Sequence, residues 1–325
     1  MGTPRVSGRW QELAFASEAL AGNPLGDPHV RPVYVWAPAG EGPWPVVYVL
    51  QGFTGTAPSW FNARAWQRSV PEQIEERAPG AILVLVDAFT AIGGSQFLDS
   101  PAIGDYHTYL CDELVPWIDS RMPSSGVRAL HGHSSGGYGA MVNAMLRPDL
   151  FAGFASHAGD ALFENSYEHE FAEAVRSLRD SYDGSYERFW DGFHARAALG
   201  KKIDHTLVNV YAMAAAYSGG ELPFDVETGE LRQDVWERWL AWDPVRMARQ
   251  PQYAEALRAM RAIWIGAGKK DEFHADLGAT AFHRAVLAAG VDESVVHFEL
   301  HDGGHFDTAW TVLEAVEWLA ERLAG

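Results

Sequence analysis

Cysteine is almost absent, with Cys111 the only one in 325 residues. A single thiol cannot close an intramolecular disulfide, so this is no disulfide-stapled domain, and the usage fits a reducing compartment. Long hydrophobic runs are missing as well. No apolar stretch reaches the length that spans a bilayer. The opening MGTPRVSGRWQELAFASEAL lacks the apolar core and small-residue cleavage site of a secretory signal. The expected location is therefore cytoplasmic. Positive charge is scarce too: 25 Lys and Arg against 43 Asp and Glu leave a formal net charge of -18. That balance argues against nucleic acid, whose phosphates an acidic surface repels, and against docking on an anionic membrane. There is no internal repeat, no low-complexity tract and no G-x-x-x-x-G-K-[ST] phosphate loop. No group of His, Cys, Asp and Glu has metal-ligand spacing, so neither metal nor cofactor is expected. His131, His133 and His157 are expected to be packed or hydrogen-bonded, and Cys111 to be a small core residue.

Core-forming residues, by contrast, are plentiful at 47% hydrophobic. Short apolar runs punctuated by Gly and Pro recur at Val33–Trp36, Val46–Leu50, Ala81–Val86, Val127–His131, Gly153–Ser156, Ala262–Ile265 and Val295–Leu300. Their length and continuity predict strands buried on both faces. Glu12–Ala21 is expected to add an eighth, edge strand through a hairpin. Helical spacing recurs between the later runs. Tyr106–Ile118 places Leu110, Leu114 and Trp117 on one face, with Asp105 as N-cap and Pro116 as a kink or early end. Gly136–Leu146 and Thr308–Leu323 also carry helical patterns. Alternating strand and helix predicts an α/β domain with a mostly parallel eight-stranded sheet flanked by helices.

Residues 160–258 break the alternation. They hold several helical patterns and many aromatics, among them Phe189, Trp190, Phe193, Tyr211, Tyr217, Trp236, Trp239 and Trp242. They are expected to form a helical cap inserted between the core segments 1–159 and 259–325, covering the site with the aromatics as an apolar wall. The alternative is a set of peripheral helices whose aromatics are core.

The run Val127–His131 leads into Gly132-His133-Ser134-Ser135-Gly136, a G-x-S-x-G motif, and then a helix. A serine on so sharp a strand-to-helix turn projects its hydroxyl from the sheet, and side chains two residues to either side would collide. Ser134 is thus the candidate nucleophile; Ser135, flanked by His133 and Gly137, fits less well. A serine needs a base, and in this arrangement the order is Ser, then Asp or Glu, then His. His305, after two glycines beyond the last strand, is the candidate base, with His301 the alternative. Asp271, in the loop after the penultimate strand, is the candidate acid, with Glu272, Asp276 and Asp302 as alternatives. The oxyanion donors expected are the N–H groups of Ser135 and of Phe53, which follows Gly52 after the third strand.

Five segments, YVLQGFTGT, GGSQFLDSPAIGDYHTYLCDELVPWID, GHSSGGYGAM, IGAGKKDEF and DGGHFDTAW, resemble the esterase D group of α/β-hydrolase-fold enzymes. That group includes S-formylglutathione hydrolases, enterochelin esterases, some feruloyl esterases and mycobacterial mycolyltransferases. The resemblance runs from about Val46 to Trp310 and leaves the insert unmatched. It implies an α/β-hydrolase fold, the set Ser134, Asp271 and His305, oxyanion donors at Phe53 and Ser135, and a pocket wall from Gly93–Asp105. Gly55 lies where formylglutathione hydrolases carry a cysteine, which makes that substrate less expected. The activity expected is hydrolysis of a small-molecule carboxylic ester through an acyl-enzyme, with acyl transfer or peptide cleavage as the alternative. A homo-oligomer is left open.

Overall fold

The computed structural model describes residues 9–62, 68–77, 79–196 and 202–324. The first eight residues of the opening segment and residues 197–201 of the insert lie outside them. Eight strands make one sheet: β1 (Trp10–Ala16), β2 (Val30–Trp36), β3 (Trp44–Leu50), β4 (Ile82–Val86), β5 (Ser124–His133), β6 (Gly153–His157), β7 (Ala262–Gly268) and β8 (Val296–His301). They lie side by side in the order β1-β2-β4-β3-β5-β6-β7-β8. β2 runs antiparallel to both of its neighbours, and all other pairs are parallel. This is the α/β-hydrolase arrangement.

Side-chain alternation along each strand explains the layers. On β3, Val46, Tyr48 and Leu50 enter the core shared with the helix Ser135–Leu146, whereas Val47 and Val49 enter a second core under the helices Val70–Arg77 and Ala309–Ala324. With helices on both faces the central strands can be continuously apolar. β8 is half-buried throughout, as befits an edge.

Three local expectations are corrected. The first strand ends at Ala16, not Ala21, because Glu113 collects the chain beyond it: its carboxylate accepts from the Glu18 and Ala19 N–H groups at 3.1 and 2.9 Å and from the Ser17 hydroxyl. Asp105 stands at the start of the helical run but makes no capping bond. Asp99 does that work, accepting from the Thr108 N–H at 2.9 Å and its hydroxyl at 2.7 Å. Pro116 does not end the run. The turns Tyr109–Leu114 widen to π geometry just ahead of it, and Val115–Asp119 continues as α-helix.

Residues 160–258 contain no strand beyond an isolated bridge, Phe224 to Leu231, among the described residues. Helices His169–Tyr182, Tyr186–His194, Lys202–Ser218 and Gln233–Leu240 supply about half of the segment. Its rings pack edge-on: Phe171 meets Trp236 and Trp239 at 5.4 and 5.7 Å, with interplanar angles of 87° and 90°. This cluster is continuous with the core above the sheet. Among the described residues no helix is long and apolar enough to cross a membrane.

Candidate active site

β5 ends at His133 and the next helix begins at Ser135, so Ser134 makes the turn alone, with φ 56° and ψ -126°. A non-glycine residue held there costs about 1–3 kcal/mol and persists only where its surroundings over-determine it. Here the Ser134 N–H donates to the His157 carbonyl at 2.8 Å, and the Ser134 carbonyl accepts from Tyr138 at 2.9 Å. The flanking glycines are required. A Cβ on Gly132 would stand 2.2 Å from the Gly136 carbonyl carbon and oxygen, and one on Gly136 would stand 2.3 Å from the Leu50 oxygen. Gly132 is thus kept bare by Gly136, as the motif implies, whereas Gly136 is kept bare by the neighbouring strand β3.

His305 is buried and presents Nε2 to Ser134 Oγ at 3.0 Å and Nδ1 to Asp271 Oδ2 at 2.7 Å. An ionised carboxylate only accepts, so Nδ1 carries the proton and Nε2 is left to accept from the serine hydroxyl. The second Asp271 oxygen, Oδ1, accepts from the Phe273 and Ala275 N–H groups at 2.8 and 3.3 Å. Burial works to raise the Asp271 carboxyl, but the His305 hydrogen bond and charge, with those two N–H groups, hold it below the usual carboxylate range. An ionised carboxylate so placed can orient an imidazole.

The alternatives have other places. His301 ends β8, and its Nδ1 accepts from the Gly303 N–H at 3.1 Å. Asp302 is exposed and paired with Lys269 at 2.8 Å. Asp276 lies in the first turn of the helix Ala275–Ala288. Glu272 does reach the site, but through the backbone: its carboxylate accepts from the His305 N–H at 2.8 Å.

The loop after β3 lies against the elbow. A Cβ on Gly52 would come within 3.2 Å of the His133 oxygen and 3.6 Å of Ser134 Cβ. The Phe53 N–H has no acceptor among the described residues, and the Ser135 N–H, first in its helix, has no intrahelical partner. Both residues line one cavity of about 210 Å³ with Ser134 and His305.

That cavity differs from expectation in two ways. None of the eight insert aromatics named above lines it. Those rings pack within the insert or against the core, where burying apolar area is favourable. The insert contributes Tyr167, His205 and Asn209 instead, beside Asp160 and Ser166. The Gly93–Asp105 loop does not line it either. Gly93 and Gly94 make room for the Phe53 ring, since a Cβ on Gly93 would lie 2.6 Å from it, and Gln96 donates to Asp160 at 3.2 Å. The loop thus buttresses the wall from behind. Asp160 had a legible signal, a carboxylate just past the carboxyl end of a strand, where open α/β sheets bind ligands. Tyr167, His205 and Asn209 had none, because they come from helices whose docking the sequence does not reveal.

Residues 28–313 match the model of the Esterase family. The chain belongs to the Esterase family. It is an enzyme that hydrolyses carboxylic esters. Among solved structures this esterase is similar to a ferulic acid esterase, with 18% identity, a TM-score of 0.61, and coverage of 96% of this chain and 98% of that one. It is also similar to an S-formylglutathione hydrolase from Agrobacterium tumefaciens, with 17% identity, TM-score 0.58, and coverage of 97% and 95%. An enterochelin esterase from Shigella flexneri matches at 16% identity and TM-score 0.53 over 98% of this chain and 59% of that one. At these identities the likeness carries the fold, and the site must be argued from its own geometry.

Proposed function

We propose that this esterase works through Ser134, His305 and Asp271 by way of an acyl-enzyme. His305 Nε2 takes the Ser134 hydroxyl proton as Oγ attacks the ester carbonyl. The Phe53 and Ser135 N–H groups hold the oxyanion that develops. His305 then gives its proton to the departing alcohol, leaving the acyl group on Ser134. A water, deprotonated by the same nitrogen, attacks the acyl carbon and releases the acid. Asp271 keeps the proton on Nδ1 and stabilises the imidazolium. The observation that carries this reading is the line of contacts at 3.0 and 2.7 Å from Ser134 through His305 to Asp271, opening on one cavity with two unused N–H donors.

Residues 160–258 act as the cap: Tyr167, His205 and Asn209 support that role by closing one side of the cavity. A fluorophosphonate probe should label the protein on Ser134 and p-nitrophenyl butyrate should be cleaved, with both lost in Ser134→Ala. Equal labelling or turnover by that variant would overturn the assignment.

A further inference from the structure

The chemistry just described leaves one carboxylate in the cavity without a task. Asp160 follows β6, is half-buried and lines the space beside Ser134. The Gln96 amide nitrogen donates to it at 3.2 Å and also reaches the Tyr217 and Tyr167 hydroxyls at 2.9 and 3.4 Å. A carboxylate offers about four acceptor positions, so this network leaves capacity unused.

The backbone on both sides of the contact is strained. Gln96 and Phe97 have φ of 53° and 55°, and Ala158 and Leu162, which bracket Asp160, have φ of 48° and 58°. Non-glycine residues in this region mark places the structure holds against a local cost, and they cluster at ligand sites. The far side of the Asp160 segment is anchored by the buried Asp243, which accepts from the Leu162 and Phe163 N–H groups, each at 3.1 Å.

The neighbouring wall has the same polarity. Asn209 donates one Nδ2 hydrogen to the Glu170 carboxylate at 2.9 Å, and its carbonyl oxygen remains an acceptor. Among the described residues lining the cavity there is no Lys or Arg. Apart from the Phe53 and Ser135 N–H groups kept for the oxyanion, the cavity therefore sets a carboxylate and an amide oxygen beside the serine, with no side-chain cation among the described residues to pair with a substrate anion.

We propose that Asp160 is a specificity-determining residue that binds a hydrogen-bond donor on the substrate, an ammonium or a hydroxyl, so that this site selects small esters bearing such a group. The inference rests on the esterase mechanism proposed above and names the substrate class of that same site. Burial raises the Asp160 carboxyl, with Gln96, Tyr167 and His305 working to lower it; a bound ammonium supplies the missing counter-charge.

The test compares isosteric esters in which one methyl or methine becomes a donor. On the acyl side the set is p-nitrophenyl butyrate, p-nitrophenyl β-alaninate and p-nitrophenyl 3-hydroxypropanoate, with p-nitrophenyl hydrogen succinate as the anionic arm. On the alcohol side it is 3-methylbutyl butyrate against 2-(dimethylamino)ethyl butyrate. In at least one set the donor-bearing ester should exceed its apolar isostere about 10-fold in kcat/KM, consistent with one charge-assisted hydrogen bond. The succinate should fall below butyrate. A preference for the ammonium over the hydroxyl identifies charge as the selected feature, and equal preference identifies the donor alone.

In Asp160→Asn the ammonium preference should fall about 5-fold or more, and Asp160→Glu, which keeps the charge, should retain part of it. Wild-type ratios of one or less in both sets overturn the proposal without any variant. A preference that survives in Asp160→Asn, with Ser134 still labelled by the fluorophosphonate, overturns its assignment to Asp160. Failure of every ester together with loss of labelling in the wild type would instead overturn the esterase mechanism.

Discussion

His133, which precedes the serine at the elbow, donates from Nε2 to the carbonyl oxygen of His305 at 2.8 Å, with the two rings 4.7 Å apart. Glu272 holds the N–H of the same residue. The backbone of the proposed base is therefore clamped on both sides, which fixes Nε2 opposite Ser134 while the glycines before it, Gly303 and Gly304, let the chain turn. Removing one clamp should misplace the imidazole without removing it. Glu272→Ala is expected to lower kcat about 10-fold with KM little changed, since small misplacements of a catalytic group are costly. Steady-state kinetics on p-nitrophenyl butyrate reads this, and an unchanged kcat would leave Glu272 without a positioning role.

Asp271→Asn keeps the size of the side chain and removes its charge. An amide can donate to Nδ1 and so favours the wrong tautomer. kcat should drop about 10³–10⁴-fold, by analogy with the same change in serine triads generally, with residual rate from the oxyanion donors. A drop of less than about 10-fold would mean that Asp271 does not orient His305.

Gly136→Ala should be a folding defect, not a kinetic one. The added methyl would sit 2.3 Å from the Leu50 oxygen, a backbone atom of a central strand that cannot move aside. Overpacking of this kind costs about 3 kcal/mol or more. Urea unfolding should show a lowered midpoint or no soluble protein, whereas a wild-type midpoint would show that the elbow can shift.

Two buried histidines, His131 and His157, and the half-buried His133 set an acid limit on stability. Burial first, then neighbouring imidazoles, push His131 down to about 3 and His133 to about 4, and His157 lies well below its ordinary value. The unfolded chain protonates these rings near pH 6.5 while the folded protein does not, so the unfolded state binds more protons and stability falls as pH falls from about 6.5 toward 4. Each ring contributes up to about 1.4 kcal/mol per pH unit in that window. Asp271, with its depressed value, loses its contribution only as pH falls below about 3.9, so it does not enter the window. Glu170, whose carboxyl burial pushes up to about 7, works the other way over the same range and offsets about one ring, so urea midpoints at pH 7, 6 and 5 should decline by the balance left by the histidines. His131→Phe, which removes one ring, should flatten the decline, and a flat wild-type profile would contradict the assignment.

Much of this molecule is legible in one dimension because local rules govern it. Val46–Leu50 and Ala81–Val86 are too apolar for anything but a sheet covered on both faces. The elbow glycines, the order of Ser134, Asp271 and His305 along the chain, and the Gly52-Phe53 turn all follow from what a strand-to-helix nucleophile requires. Boundaries blur where a distant side chain intervenes, as when Glu113 ends the first strand or Asp99 displaces Asp105 as the cap. What no local rule supplies is the cavity. The insert aromatics are expected to face the substrate and instead bury one another, and the wall is built from Tyr167, His205 and Asn209, whose positions depend on how the helices dock. The sequence by itself determined the fold class and singled out the proposed reacting groups, since both rest on periodicity and on motifs a few residues long. Only the tertiary structure decided what surrounds the serine, because contacts between residues a hundred positions apart are set by packing, which leaves no mark in spacing.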